Sequence, residues 1–369
     1  MRYRRLPIEI ESPEERGYGT IRNNLTESSV RDLSMADLGL DLGDLVLAYG
    51  DHRGDPTLRT HIAEQTGPGI DPSYVIATPG AAGALFMVAT SLLEAGDHLV
   101  VARTNYSTNI ETPRLIGADA SHLDLRFEDG FRLDLDQLRS LVRPGATKFI
   151  SLTYPHNPTG VLITAEELHE VAEMAESAGA WLLVDETYRE LTHGDPLPSA
   201  ATLSDRALSV CSLSKAYGLP GIRQGWVVAR DPGVLETLLA AKEQIVICGS
   251  AIDEAIAANV LGRRDELLGP IRASAAEHLS IVGAWMAEQP HLSWVEPQGG
   301  VVAFPRLADA VDPDAFYLHL NEVGGTYVGE GHWFDADRHH FRLGYAWPTT
   351  DELRDGLAAI TAAAANAIS

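Results

Sequence analysis

From about residue 74 the chain alternates short apolar runs with longer amphipathic stretches. His98–Ala102, Lys148–Thr153 (KFISLT), Trp181–Val184, Ala207–Cys211 and Gln224–Ala229 read as buried strands, because each is a compact apolar run bounded by polar or turn residues. Between them, Gly83–Leu93, Asp134–Val142 and Thr164–Ala178 carry helical spacing. Thr164 with Glu167 forms a capping-box pattern. Pro232–Ile247 predicts a long helix capped by Asp231, with Pro232 at its first position. Asp253–Glu288 predicts further helix with a break near Gly269-Pro270. Beyond it, Trp294–Phe304 and Phe341–Ala346 read as β structure, and Phe316–Glu322 and Thr350–Ala365 as helices. Strands alternating with helices of ten to fifteen residues predict an α/β fold with a large, mostly parallel α/β/α sheet. We divide the chain into an N-terminal arm that joins the smaller α+β domain (1–44), a large domain (45–285) and a small C-terminal domain (286–369).

Composition narrows the function. The formal charge of −24 argues against nucleic acid, whose phosphates need a basic stripe. No apolar run approaches a membrane span, and the N-terminus has arginines without an apolar core behind them. The expected location is the cytoplasm. Two cysteines, Cys211 and Cys248, are expected to be buried thiols, and no metal-ligand spacing occurs. There are three lysines, Lys148, Lys215 and Lys242, so chemistry needing a primary amine has three candidates.

Three motifs follow strands directly, at the carboxyl ends where open α/β sheets place their sites. They are Tyr154-Pro-His-Asn-Pro-Thr-Gly160, Asp185-Glu-Thr-Tyr188, and Ser212-Leu-Ser-Lys215 followed by Gly218 to Arg223. Asn157, Asp185, Tyr188, Lys215 and Arg223 stand in that order with gaps of 28, 3, 27 and 8 residues. This constellation resembles the fold type I pyridoxal 5′-phosphate (PLP) enzymes, the aspartate aminotransferase superfamily.

The resemblance implies PLP held as a Schiff base on Lys215, and a dimer with shared sites. It implies Asp185 at the ring nitrogen and Asn157 and Tyr188 at the phenolic oxygen, with the Asn157–Pro158 bond cis. A lysine in this role needs an environment that lowers its pKa. Lys215, Asp185 and Tyr188 are the catalytic candidates. Gly80, Ala81 and Ala82 precede an apolar helix and match the phosphate loop, without the hydroxyl common there. Ser212 and Arg223 match further phosphate donors; Ser214 is either a donor or structural. Tyr106 resembles the aromatic that stacks on the ring, although a core tyrosine is the plainer reading. Tyr49 matches a tyrosine reaching the neighbouring subunit's phosphate. Arg342, with Asn157 and Asn24, matches substrate binding, the guanidinium forking onto the α-carboxylate. Lys148 and Lys242 are expected to be solvated or salt-bridged.

The implied reaction removes the Cα proton of an amino acid and passes through a quinonoid. It leads to transamination, or to β-elimination, deamination or cyclisation. Asn23–Val30 stands where a glycine-containing substrate lid is usual, and has no glycine. Arg22, Arg103 and Arg189 are the candidates for reading a side-chain carboxylate. The wording SKAYGLPGIRQGW, PHNPTG and QGGVVAFPR resembles antibiotic-pathway members of the superfamily, capreomycidine synthases and lincosamide-pathway enzymes among them. A PLP-sensing regulator is disfavoured, because no DNA-binding domain fits before Tyr49.

Overall fold

The computed structural model describes residues 3–368. Seven strands form one sheet, in the spatial order Val75–Pro79, Gln224–Ala229, Ala207–Ser212, Trp181–Asp185, Thr147–Thr153, His98–Arg103, Asp119–Asp124. All pair in parallel except Gln224–Ala229, which runs against both neighbours. Both faces are covered, which is why the strands read as continuous apolar runs. Side chains alternate between the two faces. Leu99, Val101, Phe149 and Leu183 pack with Val88 and Leu238 of the helices Gly80–Leu92 and Pro232–Ile245. Val100, Ile150, Leu152 and Leu182 pack with Leu168, Val171 and Ala175 of the helix Ala165–Ala178.

A second, four-stranded sheet orders Asn23–Leu25, Thr326–Glu330, Phe341–Gly344 and Val302–Ala303, so the N-terminal segment pairs with the C-terminal part of the chain. The helix Thr350–Asn366 buries Leu353, Leu357 and Ile360 in the core of this region. No described helix is long and apolar enough to cross a membrane.

Four expectations need correction. The break in the long helical stretch lies at Arg263, between Ala251–Gly262 and Arg264–Met286, and Pro270 is inside the second helix. Gly269 lacks the Cβ that a following proline ring would strike, so the helix continues. Trp294–Val301 is not strand. It is a connecting segment whose Gln298 and Gly299 N–H groups donate to Gly160 O at 2.8 and 3.0 Å, and whose Gly300 donates to Leu191 O at 3.0 Å. Lys242 is not solvated: it is 0% exposed and its Nζ has no hydrogen-bond partner among the described residues, because it falls on the same inward face as Val234, Leu235 and Leu238. Cys211 and Cys248 are free thiols; Cys248 is half-buried rather than buried, whereas Cys211 is half-buried as a residue with its thiol enclosed, and burial pushes that thiol up.

Candidate active site

The register of the large sheet assembles the site. Pro79 pairs with Gln224, and Ser212 with Gly225, so the N-terminus of the helix Gly80–Leu92 meets Ser212 and Arg223 at one sheet end. This close approach needs glycine: a Cβ on Gly225 would lie 2.5 Å from the Gly80 carbonyl carbon, and one on Gly80 would lie 2.7 Å from an Arg223 guanidinium nitrogen. Arg223 itself adopts a left-handed backbone (φ 47°), an uncommon conformation for a residue with a Cβ. The helix has no side-chain cap, so its first N–H groups are free to meet an anion.

Next to this cradle is a cavity of about 610 Å³. Ala81, Ala82, Tyr106, Asn157, Asp185, Tyr188, Ser212, Ser214, Lys215, Arg223 and Arg342 all line it. Gly80 stands one residue behind the lining, where its missing side chain makes room for Arg223. Two expected residues lie elsewhere. Tyr49 is 82% exposed and does not reach this chain's cavity. Asn24 is buried in the strand Asn23–Leu25, and its Oδ1 accepts from the Thr26 N–H (3.0 Å) and hydroxyl (2.7 Å). It shapes the turn that puts Thr26, Glu27 and Ser28 into the lining.

Asp185 ends its strand and is buried. Its Oδ1 accepts from the Thr187 N–H (3.0 Å) and hydroxyl (2.6 Å). Burial pushes the carboxyl above the usual range, against the pull of Thr187 and of the Lys215 charge. Lys215 is the lysine of the lining. Burial lowers its pKa; the Glu27 charge opposes this, and Arg342 adds to the lowering. Tyr188 is buried with its hydroxyl lacking a well-formed hydrogen bond, and burial pushes it up to about 12. The Asn157–Pro158 bond is cis.

Arg342 is buried on the strand Phe341–Gly344. It donates to Asn157 Oδ1 at 3.1 Å and to Thr26 O at 2.8 Å, and its guanidinium carbon lies 4.8 Å from the centre of the Phe334 ring. Its Nε has no partner, and no carboxylate pairs with it among the described residues.

Sequence reasoning did not anticipate the cavity's roof. Arg5, Ile8, Glu9 and Ser12–Glu15 line it, from two four-residue helices, Pro7–Ile10 and Pro13–Arg16, and the residues just before each. Glu11 fastens this arm: its carboxylate accepts from Trp333 Nε1 at 2.6 Å, and its carbonyl from the Tyr327 hydroxyl at 2.7 Å. Thr187 was also missed, although a threonine two residues after a strand-end aspartate is a recognisable turn signal.

The donor set fits PLP. An uncapped helix end, Ser212 and Arg223 suit a phosphate; Asp185 suits a ring nitrogen; the Tyr188 hydroxyl and Asn157 suit the phenolic oxygen; and Lys215 offers an amine in the same cavity. Fold and site together define a PLP-dependent enzyme of fold type I. The chain belongs to the aminotransferase class I and II family, whose profile matches residues 26–360. It is 33% identical to capreomycidine synthase of Streptomyces vinaceus over 344 residues, covering 92% of this chain and 87% of that protein. It is 30% identical to arginine–pyruvate transaminase AruH of Pseudomonas aeruginosa, covering 80% and 77%. Among solved structures, a PLP-dependent aminotransferase from Streptococcus suis superposes with a TM-score of 0.92 at 29% identity, covering 100% of both chains. The PLP-dependent cyclase OrfR gives 0.88 at 29% identity, covering 98% of both.

Proposed function

We propose that the chain is an aminotransferase acting on an α-amino acid in the cytoplasm, as half of a homodimer with shared sites. The observation that carries the substrate class is Arg342. A buried guanidinium without a carboxylate partner is costly unless an anion completes it. Its fork, steadied by Asn157 and the Thr26 carbonyl, suits the α-carboxylate of a substrate. When bound, PLP supplies the electrophilic carbon and the electron sink. The protein does the rest: Arg342 fixes the carboxylate, Asp185 holds a proton at the ring nitrogen, and Lys215 Nζ moves the Cα proton. The arm, tied to Trp333 through Glu11, lines one side of the cavity.

Arg342→Gln is expected to lower kcat/KM for amino acids about 10²-fold, the loss typical of a buried charge left without its partner. Primary amines lacking a carboxylate should lose far less. Steady-state kinetics on both substrate types checks this.

A second reading, β-elimination, deamination or cyclisation in an antibiotic pathway, is favoured by the relatives named as a synthase and a cyclase. One experiment separates the two. The holoenzyme is given an amino acid and no keto acid. A transaminase stops after one turnover, with its cofactor in the amine form and one equivalent of keto acid. Continued turnover with release of ammonia or a β-substituent would refute transamination.

The dimer is supported by the exposed Val46, Leu47 and Tyr49, joined by the His52–Glu243 pair (2.7 Å) to the helix that ends at the exposed Ile245. Such a patch is unusual on a monomer. Mixing inactive Lys215→Ala subunits with Tyr49→Phe subunits should give hybrid dimers containing one site with both residues intact. Recovered activity, read beside the mass in solution, supports sharing; a monomeric mass would overturn it.

A further inference from the structure

We propose that the substrate of this site carries a second, cationic group on its side chain, and that Glu27, assisted by Glu14, reads it. The proposal rests on the cavity being an amino-acid site and adds the class of side chain.

Start with the cations of the lining: Lys215, Arg223, Arg342 and Arg5. The first three have roles at the cofactor and the α-carboxylate. Arg5 is taken by Glu15 at 2.8 Å and by the Glu9 carbonyl at 2.7 Å. The arginines that sequence reasoning offered for a side-chain carboxylate do not line the cavity. Arg22 faces Asp355 at 3.7 Å, Arg103 pairs with Asp124 at 2.8 Å, and Arg189 donates to Leu197 O at 2.8 Å. An anionic side chain would therefore meet no free cation.

The acids show the opposite balance. Apart from Asp185, the lining holds Glu9, Glu14, Glu15 and Glu27. Glu15 is neutralised by Arg5, and Glu9 is used as a cap, accepting from Leu6 N at 2.6 Å and from the Ser107 hydroxyl at 3.2 Å. Glu14 and Glu27 form no ion pair among the described residues. Both line the same cavity as Lys215 and Arg342, and their charges favour the protonated form of each. Glu27 is also held in place: its Oε1 accepts from the Tyr18 hydroxyl at 2.9 Å and from Asn24 Nδ2 at 3.4 Å. Tyr18 in turn stacks on Trp347, with ring centres 6.2 Å apart. A carboxylate held at one oxygen leaves the other for a ligand. That a ligand belongs here is shown independently by a buried group of the same cavity, Arg342, whose Nε has no partner among the described residues. An α-amino acid anchored on Arg342, with an ammonium or guanidinium reaching Glu27, satisfies both ends.

The test compares near-isosteric pairs on the holoenzyme: L-arginine against L-citrulline, and L-lysine against L-norleucine, with L-glutamate as the anionic probe. The charged member of at least one pair should be favoured tenfold or more in kcat/KM, on the order expected for one charge-assisted hydrogen bond, and glutamate should be the poorest. Glu27→Gln also alters the field at Lys215, so absolute rates will change for every substrate. The ratio within a pair removes that common factor. It should fall toward one in Glu27→Gln, and partly in Glu14→Gln and in Tyr18→Phe, whose site is at the exposed surface. Equal rates within both pairs, or ratios untouched by Glu27→Gln, overturn the proposal. No spectral response to any of the five amino acids would overturn the amino-acid reading itself, and this proposal with it.

Discussion

Lys215→Ala is expected to abolish covalent attachment of PLP and to lower the amino-acid reaction by about 10⁴-fold, the upper range for loss of a positioned proton carrier. The physical case rests on burial and on the absence of a competitor. Lys215 lies three residues past the carboxyl end of the inner strand Ala207–Ser212, in the lining of the cavity, with its pKa lowered by burial. A lysine that sheds its proton more readily than usual is a better nucleophile and base than an ordinary one. Lys148 is exposed at the opposite end of its strand. Lys242 is enclosed outside the cavity, nearest in charge to Glu254. Borohydride treatment of the wild-type holoenzyme should fix the cofactor on the peptide containing Lys215, as read by mass spectrometry. In the variant the cofactor should dissociate on denaturation, and added methylamine should restore part of the rate. Cofactor fixed on Lys148 or Lys242 would sink the assignment.

The central part of this site was legible in sequence because its residues lie beside strands that are buried on both faces. Lys148–Thr153, Trp181–Asp185 and Ala207–Ser212 are covered by helices above and below, so their apolar runs are unmistakable and their ends locate Asn157, Asp185 and Lys215. Asp119–Asp124, which went unread, is one of the sheet's two edge strands; its sequence DASHLD is polar and only Leu123 is fully buried. Asn23–Leu25 is three residues long and has no period to detect. The arm was invisible for a different reason. Its helices are a single turn each, and Glu11 is fixed by Tyr327 and Trp333, more than three hundred positions away. Contacts of that kind leave no local pattern. The same distance hid Glu27: a polar residue beside a short strand is unremarkable until the fold places it in one cavity lining with Lys215 and Arg342.

Asp185→Asn is expected to lower kcat/KM by roughly 10²–10³-fold while leaving PLP bound, comparable to losing one preorganised electrostatic group. Asparagine nearly preserves the shape, and its Oδ1 still accepts from Thr187. It carries no charge, so it cannot hold a proton at a ring nitrogen. The phosphate cradle and Lys215 are untouched, which is why binding should survive. A pH measurement tests the electrostatics separately. Burial raises the Asp185 carboxyl in the folded, cofactor-free protein above its unfolded value. The folded state then holds a proton that the unfolded chain has already lost. The stability this confers is full below the unfolded pKa and is lost as pH rises through the raised folded pKa. A protonated ring nitrogen beside Asp185 favours its ionised form and removes that loss. The gain in Tm on adding PLP should therefore grow as pH rises through the raised value, and Asp185→Asn should lack that increment. Glu186 and Glu254 are also raised by burial, but they are present with and without cofactor and cancel in the difference. A variant that keeps full activity, or keeps the wild-type pH dependence of the PLP-induced Tm gain, would remove Asp185 from the ring nitrogen.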